Sequence, residues 1–349
     1  MYVRRLLAVL VALTMVAIVG VTPAGASHGV NGTICIVNDL GGDASPFNAS
    51  AAEGAKVARS KLHVDTETLN ADTQADVAAN IDTFVTGGDC DLIFGVGFIV
   101  AGIMEPFIGA NPDQRFAVID FAFFPASYPN AAEVFFMPNE AAFLAGYLAA
   151  GTSETGKVGV FGGQPILPVT LFMDGYALGV AYYNSIYGTS VEVLGWDPDT
   201  QTGLFSFDFQ DPAIGQAIAS GLFDQGADTV FPVAGATGFG ALRAAAERKA
   251  AGDSVRVIGV DFDYYGAFGD PDGVILTSVV KDPGVAVFNQ AAALVDGTWT
   301  AGILPEGLET GGVDIAPFHD LNRAVSGFLK NDLKFVRTGI IDGSIPTLP

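Results

Sequence analysis

Polar and aromatic residues suited to ligand binding stand at the ends of the short apolar runs in this sequence. Asp39 follows the run 33–37 (TICIV), and Phe47 and Asn48 open the alanine-rich stretch after it. Asp120 follows 115–119 (RFAVI), Asp261 follows 255–260 (VRVIGV), and Lys281 closes 277–281 (TSVVK). Phe231 lies in 229–233 (TVFPV), which runs into a glycine-rich loop carrying Gly235 and Gly238. Aromatic faces can hold a planar ring, and carboxylates accept paired hydrogen bonds from sugar hydroxyls. A lysine among these acids would balance charge and add a donor. Glycines at Gly235 and Gly238 allow a turn and close ligand approach. Taken singly, several have plainer roles: Asp39 and Asp120 as turn residues, Phe47 and Phe231 as core. Their joint placement favours a ligand cleft.

Other chemistries fit less well. Only three histidines and two cysteines are present, which excludes a zinc finger or ribbon. No Gly-x-Ser-x-Gly elbow occurs, and a serine triad is hard to build from His63 and His319. His63 reads as the opening of a strand and His319 as part of a polar turn. The segment 151–157 (GTSETGK) nearly spells a phosphate loop, but Val158 replaces the required Ser or Thr, and a helix precedes it where a strand belongs. The segment 261–272 (DFDYYGAFGDPD) imitates a calcium loop, with Tyr265 at a ligand position and a strand in place of the entering helix. Asp261 and Asp263 can do acid–base work in principle, although solvated loop acids are commoner. Neither a metal nor a cofactor is expected.

The elements that must position these residues alternate in type. Strands are predicted at 33–37, 63–69, 91–96, 115–119 and 134–137, with helices at 48–61 and 74–85. An apolar helix at 139–150 restarts the rhythm. Strands follow at 157–161, 191–194, 229–233, 255–260 and 274–278, with helices near 171–184, 212–225 and 240–251. A helix at 282–296 returns toward the first half, and 313–316 reads as a late strand. This repetition predicts an α/β protein of two doubly wound parallel-sheet lobes joined by several crossings. The first lobe is expected to take residues 27–138 plus about 283–318, and the second 139–282 plus about 319–349. Ligands in such sheets sit outside the carboxyl ends of the strands.

Composition narrows the partners. Of 349 residues, 38 are acidic and 16 are lysine or arginine, a formal charge of −22. That balance repels nucleic acid and anionic lipid. Arg4 and Arg5, the apolar run 6–21 and the small-residue stretch 22–26 (TPAGA) have the parts of a cleavable secretory signal over residues 1–26. The apolar run falls short of the roughly 20 residues that span a bilayer. No cysteine follows it closely, so no lipid anchor is evident. The expected product is exported and soluble, periplasmic or associated with the cell surface.

Several ordered segments resemble the basic membrane protein family of ABC-transporter solute-binding proteins, which includes purine-nucleoside receptors. They are DLGGDASPFNASAAEGAKVA (39–58), EAAFLAGYLAAGTSETGKVGVFGGQ (140–164), FMDGYALGV (172–180), QGADTVFPVAGATGFGALRAAAE (225–247), VIGVDFD (257–263), TSVVKD (277–282) and VDIAPFHD (313–320). The resemblance spans nearly all of the chain beyond the signal. It implies a fold like the type I periplasmic binding proteins, no enzymatic activity, and delivery of a nucleoside-like ligand to ABC permease subunits. It also implies that Asp39, Phe47, Asn48, Asp120, Asp261 and Lys281 line the cleft. Phe47 would stack on the base, with Phe231 as a second face, and Asp261 and Lys281 would contact ribose hydroxyls. Three departures stand out: Tyr264 where the family usually has glutamine, Pro46 in place of serine, and no lipidation cysteine. Relatives that bind flavins or other planar solutes leave the ligand open. A nucleoside-processing hydrolase and a sensing module that signals without transport are the rival readings. A monomer is expected.

One further expectation is a disulfide between Cys35 and Cys90. Export permits it. In a doubly wound sheet the first strand lies beside the third, which puts both cysteines at similar height on neighbouring strands. The alternative is two separate buried thiols.

Overall fold

The computed structural model describes residues 32–42, 45–123, 128–270 and 272–349. The expected secretory signal, residues 1–26, lies outside them. β1 (Thr33–Leu40) is buried from Ile34 to Asn38. A run buried on both faces belongs inside a parallel sheet covered by helices. α1 (Pro46–Leu62) begins with Pro46, whose missing N–H would have lacked a helical partner anyway. Its small buried residues Ala51, Gly54, Ala55 and Ala58 let it press closely on α9 (Pro283–Val295).

The chain continues through β2 (Asp65–Ala71), α2 (Gln74–Gly87), β3 (Leu92–Val96), α3 (Phe98–Ala110), β4 (Phe116–Ile119) and β5 (Ala131–Phe136). With β13 (Gly302–Glu306) these strands form a sheet of order β13-β5-β4-β3-β1-β2, parallel throughout. The second sheet is built from β6 (Lys157–Gly162), β7 (Glu192–Leu194), β10 (Thr229–Val233), β11 (Arg256–Asp261), β12 (Ile275–Lys281) and β14 (Val313–Ile315). Its order is β14-β12-β11-β10-β6-β7, with β14 antiparallel to β12 and the rest parallel. α4 (Pro138–Thr152), α5 (Leu167–Tyr187), α6 (Pro212–Asp224), α7 (Phe239–Ala250), α8 (Tyr264–Phe268) and α10 (Gly327–Ile341) accompany it, with a small hairpin of β8 (Trp196–Asp197) and β9 (Thr202–Gly203). The chain passes between the sheets three times: from β5 into α4, from β12 into α9, and from β13 into β14. The fold is the α/β arrangement of two doubly wound lobes that the sequence pattern predicts.

Three details differ from that pattern. The late strand β14 belongs to the second sheet, so the chain has already returned to the second lobe before residue 318. The strand that extends the first sheet is β13; it sits at the edge, where Pro305 is tolerated but hides the strand signal. His63 caps α1 in a left-handed conformation rather than opening β2. The Cys35–Cys90 disulfide is present, with a Cα separation of 5.8 Å. β1 does lie beside β3, and Cys90 stands two residues before β3, outside the ladder.

Candidate ligand-binding site

Each sheet has one point where the strand order reverses, between β1 and β3 in the first and between β6 and β10 in the second. Such points open a crevice at the carboxyl ends of the strands. Asp39, near the end of β1, fills the first. Its carboxylate accepts the Leu40 N–H at 2.6 Å and the Ile99 N–H at the start of α3. Gly97, just after β3, makes room for it, because a Cβ there would lie 2.6 Å from Asp39 Oδ2. Burial pushes the Asp39 carboxyl above its ordinary range, and the two N–H groups offset part of that. Asn48 stands beside it. Its Nδ2 donates to the Asp39 and Gly42 carbonyls at 3.0 and 3.1 Å, and its buried Oδ1 has no protein partner. Phe47 is half-buried in the first turn of α1, against the core.

The second crevice holds an aromatic residue that the sequence pattern does not reveal. Phe209 packs its ring on Gly163, just after β6, where a Cβ would come within 2.0 Å of the ring. Its carbonyl accepts the Thr237 N–H in the turn containing Gly235 and Gly238, just after β10. Gly235 is in the left-handed region, and Gly238 packs closely on Pro232. Phe209 lies in the irregular stretch after the β8–β9 hairpin, where no strand end marks it for attention. Phe231, by contrast, is fully buried within β10, between Phe172 and Tyr176 at ring distances of 6.1 and 5.4 Å. Closed in by those rings, it offers no open face for stacking on a ligand.

Between the sheets a charged triad forms. Lys281, the last residue of β12, donates to both oxygens of Asp120 at 3.0 Å, and Asp261 Oδ1 lies 3.8 Å away. Asp120 follows β4 of the first sheet, whereas Asp261 and Lys281 end strands of the second. The pair therefore ties one lobe to the other. Asp120 and Asp261 share a left-handed backbone, with φ of 70° and 66°. For aspartate that conformation is uncommon and costs about 1–3 kcal/mol, a strain that clusters at functional sites. The Lys281 side chain is 5% exposed, and its ammonium stands 5.0 Å from the centre of the Phe172 ring. Burial pulls its pKa down, but Asp120 and Asp261 outweigh that and hold it above its ordinary value.

The imitation motifs have structural explanations. The 151–157 turn wraps the Asp228 carboxylate, which accepts the Ser153 hydroxyl and the Glu154 and Thr155 N–H groups where a phosphate loop would hold phosphate. In the 261–272 segment Asp263 caps α8 and meets His319 Nε2 at 2.8 Å, while Asp270 accepts the Val274 and Ile275 N–H groups. Among the described residues no group of three or more histidines, cysteines or acids is placed to hold a metal. No described helix is long and apolar enough to cross a membrane.

Two lobes hinged by three crossings, with polar groups converging from both at the strand ends, define a solute-binding protein of the type I class. Residues 34–343 match the family of PnrA-like ABC transporter substrate-binding proteins, and the chain belongs to that family. It is an extracytoplasmic binding component of an ABC transporter, a class that is not enzymatic. The chain is 29% identical over 367 residues to the ABC transporter nucleoside-binding protein BmpA of Lactococcus lactis, covering 99% of each. It is also 29% identical to an uncharacterised lipoprotein of Pyrococcus abyssi, covering 80% of this chain and 68% of that one. A solved ABC transporter solute-binding protein from Aeropyrum pernix K1 superposes with a TM-score of 0.72 at 28% identity, covering 90% of this chain and 94% of that one. The lipoprotein relative stands against the reading of no lipid anchor.

Proposed function

We propose that this protein binds a nucleoside-like ligand, a purine nucleoside above all, between its lobes and delivers it to ABC permease subunits. The observation that carries the reading is the Asp120–Lys281–Asp261 triad spanning both sheets at their strand ends. Two carboxylates flanking one ammonium, Asp120 at 3.0 Å and Asp261 at 3.8 Å from it, suit the vicinal hydroxyls of a ribose. Asp39 and the free Oδ1 of Asn48 suit the donors of a base or sugar, and Phe47 and Phe209 suit its faces. Gly235 and Gly238 let the second lobe approach closely. The nucleoside-binding name of the Lactococcus relative supports the same ligand class. Closure would be a hinge motion about the three crossings, performed by a monomer exported through the secretory signal.

Calorimetric titration with inosine and with 2′-deoxyinosine tests this. Ribose hydroxyl contacts to a charged group contribute about 1.5–3 kcal/mol each, so the deoxy form should bind wild type distinctly more weakly. In Asp261→Ala the two ligands should bind alike. Equal affinity in wild type removes Asp261 from the sugar site. Release of free base during the incubation would favour a hydrolase.

A further inference from the structure

Around α10 the charge of this acidic chain reverses. Four of its 16 lysines and arginines fall within residues 323–337, against one acid, Asp332. That acid is half-buried and accepts the hydroxyls of Tyr147 and Tyr187. Arg337 is paired with Asp314, and Lys330 donates to the Asn322 carbonyl. Lys334 is exposed and has no carboxylate partner among the described residues. Asp342, just after the helix, accepts the Ser344 N–H.

The same helix turns aromatic rings to solvent. Leu329, Leu333, Val336 and Ile340 form the buried stripe that holds α10 against the core. Away from that stripe Phe328 is 65% exposed, and Phe335 at 75% is the most exposed large hydrophobic residue described. Seven residues apart, the two share a face and stand about 10 Å from each other along the axis. Asn331, Lys334 and Thr338 are exposed with them. Phe328 also meets Tyr187 at the end of α5, with ring centres 6.0 Å apart, and Ile186 there is 51% exposed. The adjoining segment 182–191 (YYNSIYGTSV) carries no charge to oppose the basic groups.

Basic groups beside protruding aromatic rings match a surface with negative charge outside and an apolar layer within. The interface of an anionic bilayer has both, whereas an aqueous polyanion offers no seat for the rings. The formal charge of −22 does not cancel the local attraction, because charges more than about 8–10 Å away are largely screened at physiological salt. We propose that the outer face of α10, with the end of α5, docks this protein on an anionic lipid membrane. Phe328 and Phe335 enter the headgroup region, and Lys334 meets lipid phosphates. One helix face supplies few charges and rings, so the contact is reversible.

Flotation of the exported protein, free of residues 1–26, with lipid vesicles tests this. Vesicles of about one-third phosphatidylglycerol in phosphatidylcholine should carry it, and pure phosphatidylcholine should not. Raising the salt from about 0.05 M to about 0.5 M should release it. Lys334→Glu, and separately the double change Phe328→Ser with Phe335→Ser, should each lower the partition about tenfold or more. These side chains are exposed, so melting should change little. Phe335→Trp gives a reading that does not depend on the double variant folding: its emission should shift to the blue on phosphatidylglycerol vesicles alone. Absence of binding to those vesicles, equal binding to both compositions, or binding untouched by the α10 changes overturns the proposal. A lipid-free dimer in sedimentation that the double change dissolves also overturns it, and assigns the face to a second copy.

Discussion

Replacing Lys281 with methionine removes the ammonium while keeping the length of the side chain. Asp120 then loses two 3.0 Å hydrogen bonds and keeps a carboxylate that is 17% exposed. Breaking a buried pair from one side typically costs about 3–5 kcal/mol, because the remaining charge is left uncompensated. That cost has a ceiling, since the stranded carboxyl can take up a proton instead. Burial already holds the Asp120 carboxyl above its ordinary range despite the attraction of Lys281; reckoned from the ordinary aspartate pKa of the unfolded chain, protonation at pH 7 costs about 4 kcal/mol, and at pH 5 about 1.5 kcal/mol. Lys281→Met should therefore destabilise by about 3–4 kcal/mol at pH 7 and about 1–2 kcal/mol at pH 5. Urea denaturation of wild type and variant at both values measures this. Adding Asp120→Asn to Lys281→Met should recover most of the loss at pH 7. A penalty that is equal at the two pH values, or absent, contradicts the assignment of a buried pair. In wild type the raised Lys281 pKa fixes the alkaline side. The stability from the pair is present below the ordinary value of 10.5 and lost as pH rises through the raised one.

Phe231→Ala should lower the melting temperature through a loss of about 3–5 kcal/mol, the range for an aromatic core deletion, and leave binding per folded molecule nearly intact. Phe47→Ala should do the reverse, weakening nucleoside binding by about 1–3 kcal/mol with a small change in melting; thermal melts and titrations of both variants separate the two roles. Breaking the Cys35–Cys90 bond with paired serines should cost about 2–4 kcal/mol, and thiol titration of denatured, unreduced wild type should find no free thiol. Two free thiols would contradict the bond. The raised pKa of Asp39 means that the folded protein holds its proton more tightly than the unfolded chain does. Stability should therefore fall as pH rises from the ordinary value of 3.8 through the raised one. In Asp39→Asn melting across pH 3–7 should lose that decline, with a higher melting temperature at pH 7 and weaker ligand binding.

Strand-end chemistry was legible because buried parallel strands read as compact apolar runs and stop at polar residues. That is why Asp39, Asp120, Asp261 and Lys281 could be singled out without coordinates. The Cys35–Cys90 pairing followed from the same topology. Phe209 was not legible, because it lies in an irregular segment whose position is set by contacts with Gly163 and the Gly235–Gly238 turn. Phe231 misleads for the opposite reason: it lies within a strand, and which face of the sheet it occupies depends on helix packing. α3 carries Gly102, Pro106 and Gly109 inside an apolar run, which masks helical periodicity. β13 is short, at an edge, and contains a proline. The assignment of β14 to the second sheet depends on an antiparallel pairing with β12 that local pattern does not encode.

The decisive measurement is calorimetric titration of inosine into protein first unfolded and refolded to strip any carried ligand. Saturable binding at one site per chain is expected, displaced by guanosine and strongly weakened in Asp261→Ala. No binding of any nucleoside, or nucleoside binding untouched by Asp261→Ala, would contradict a nucleoside site built on the triad.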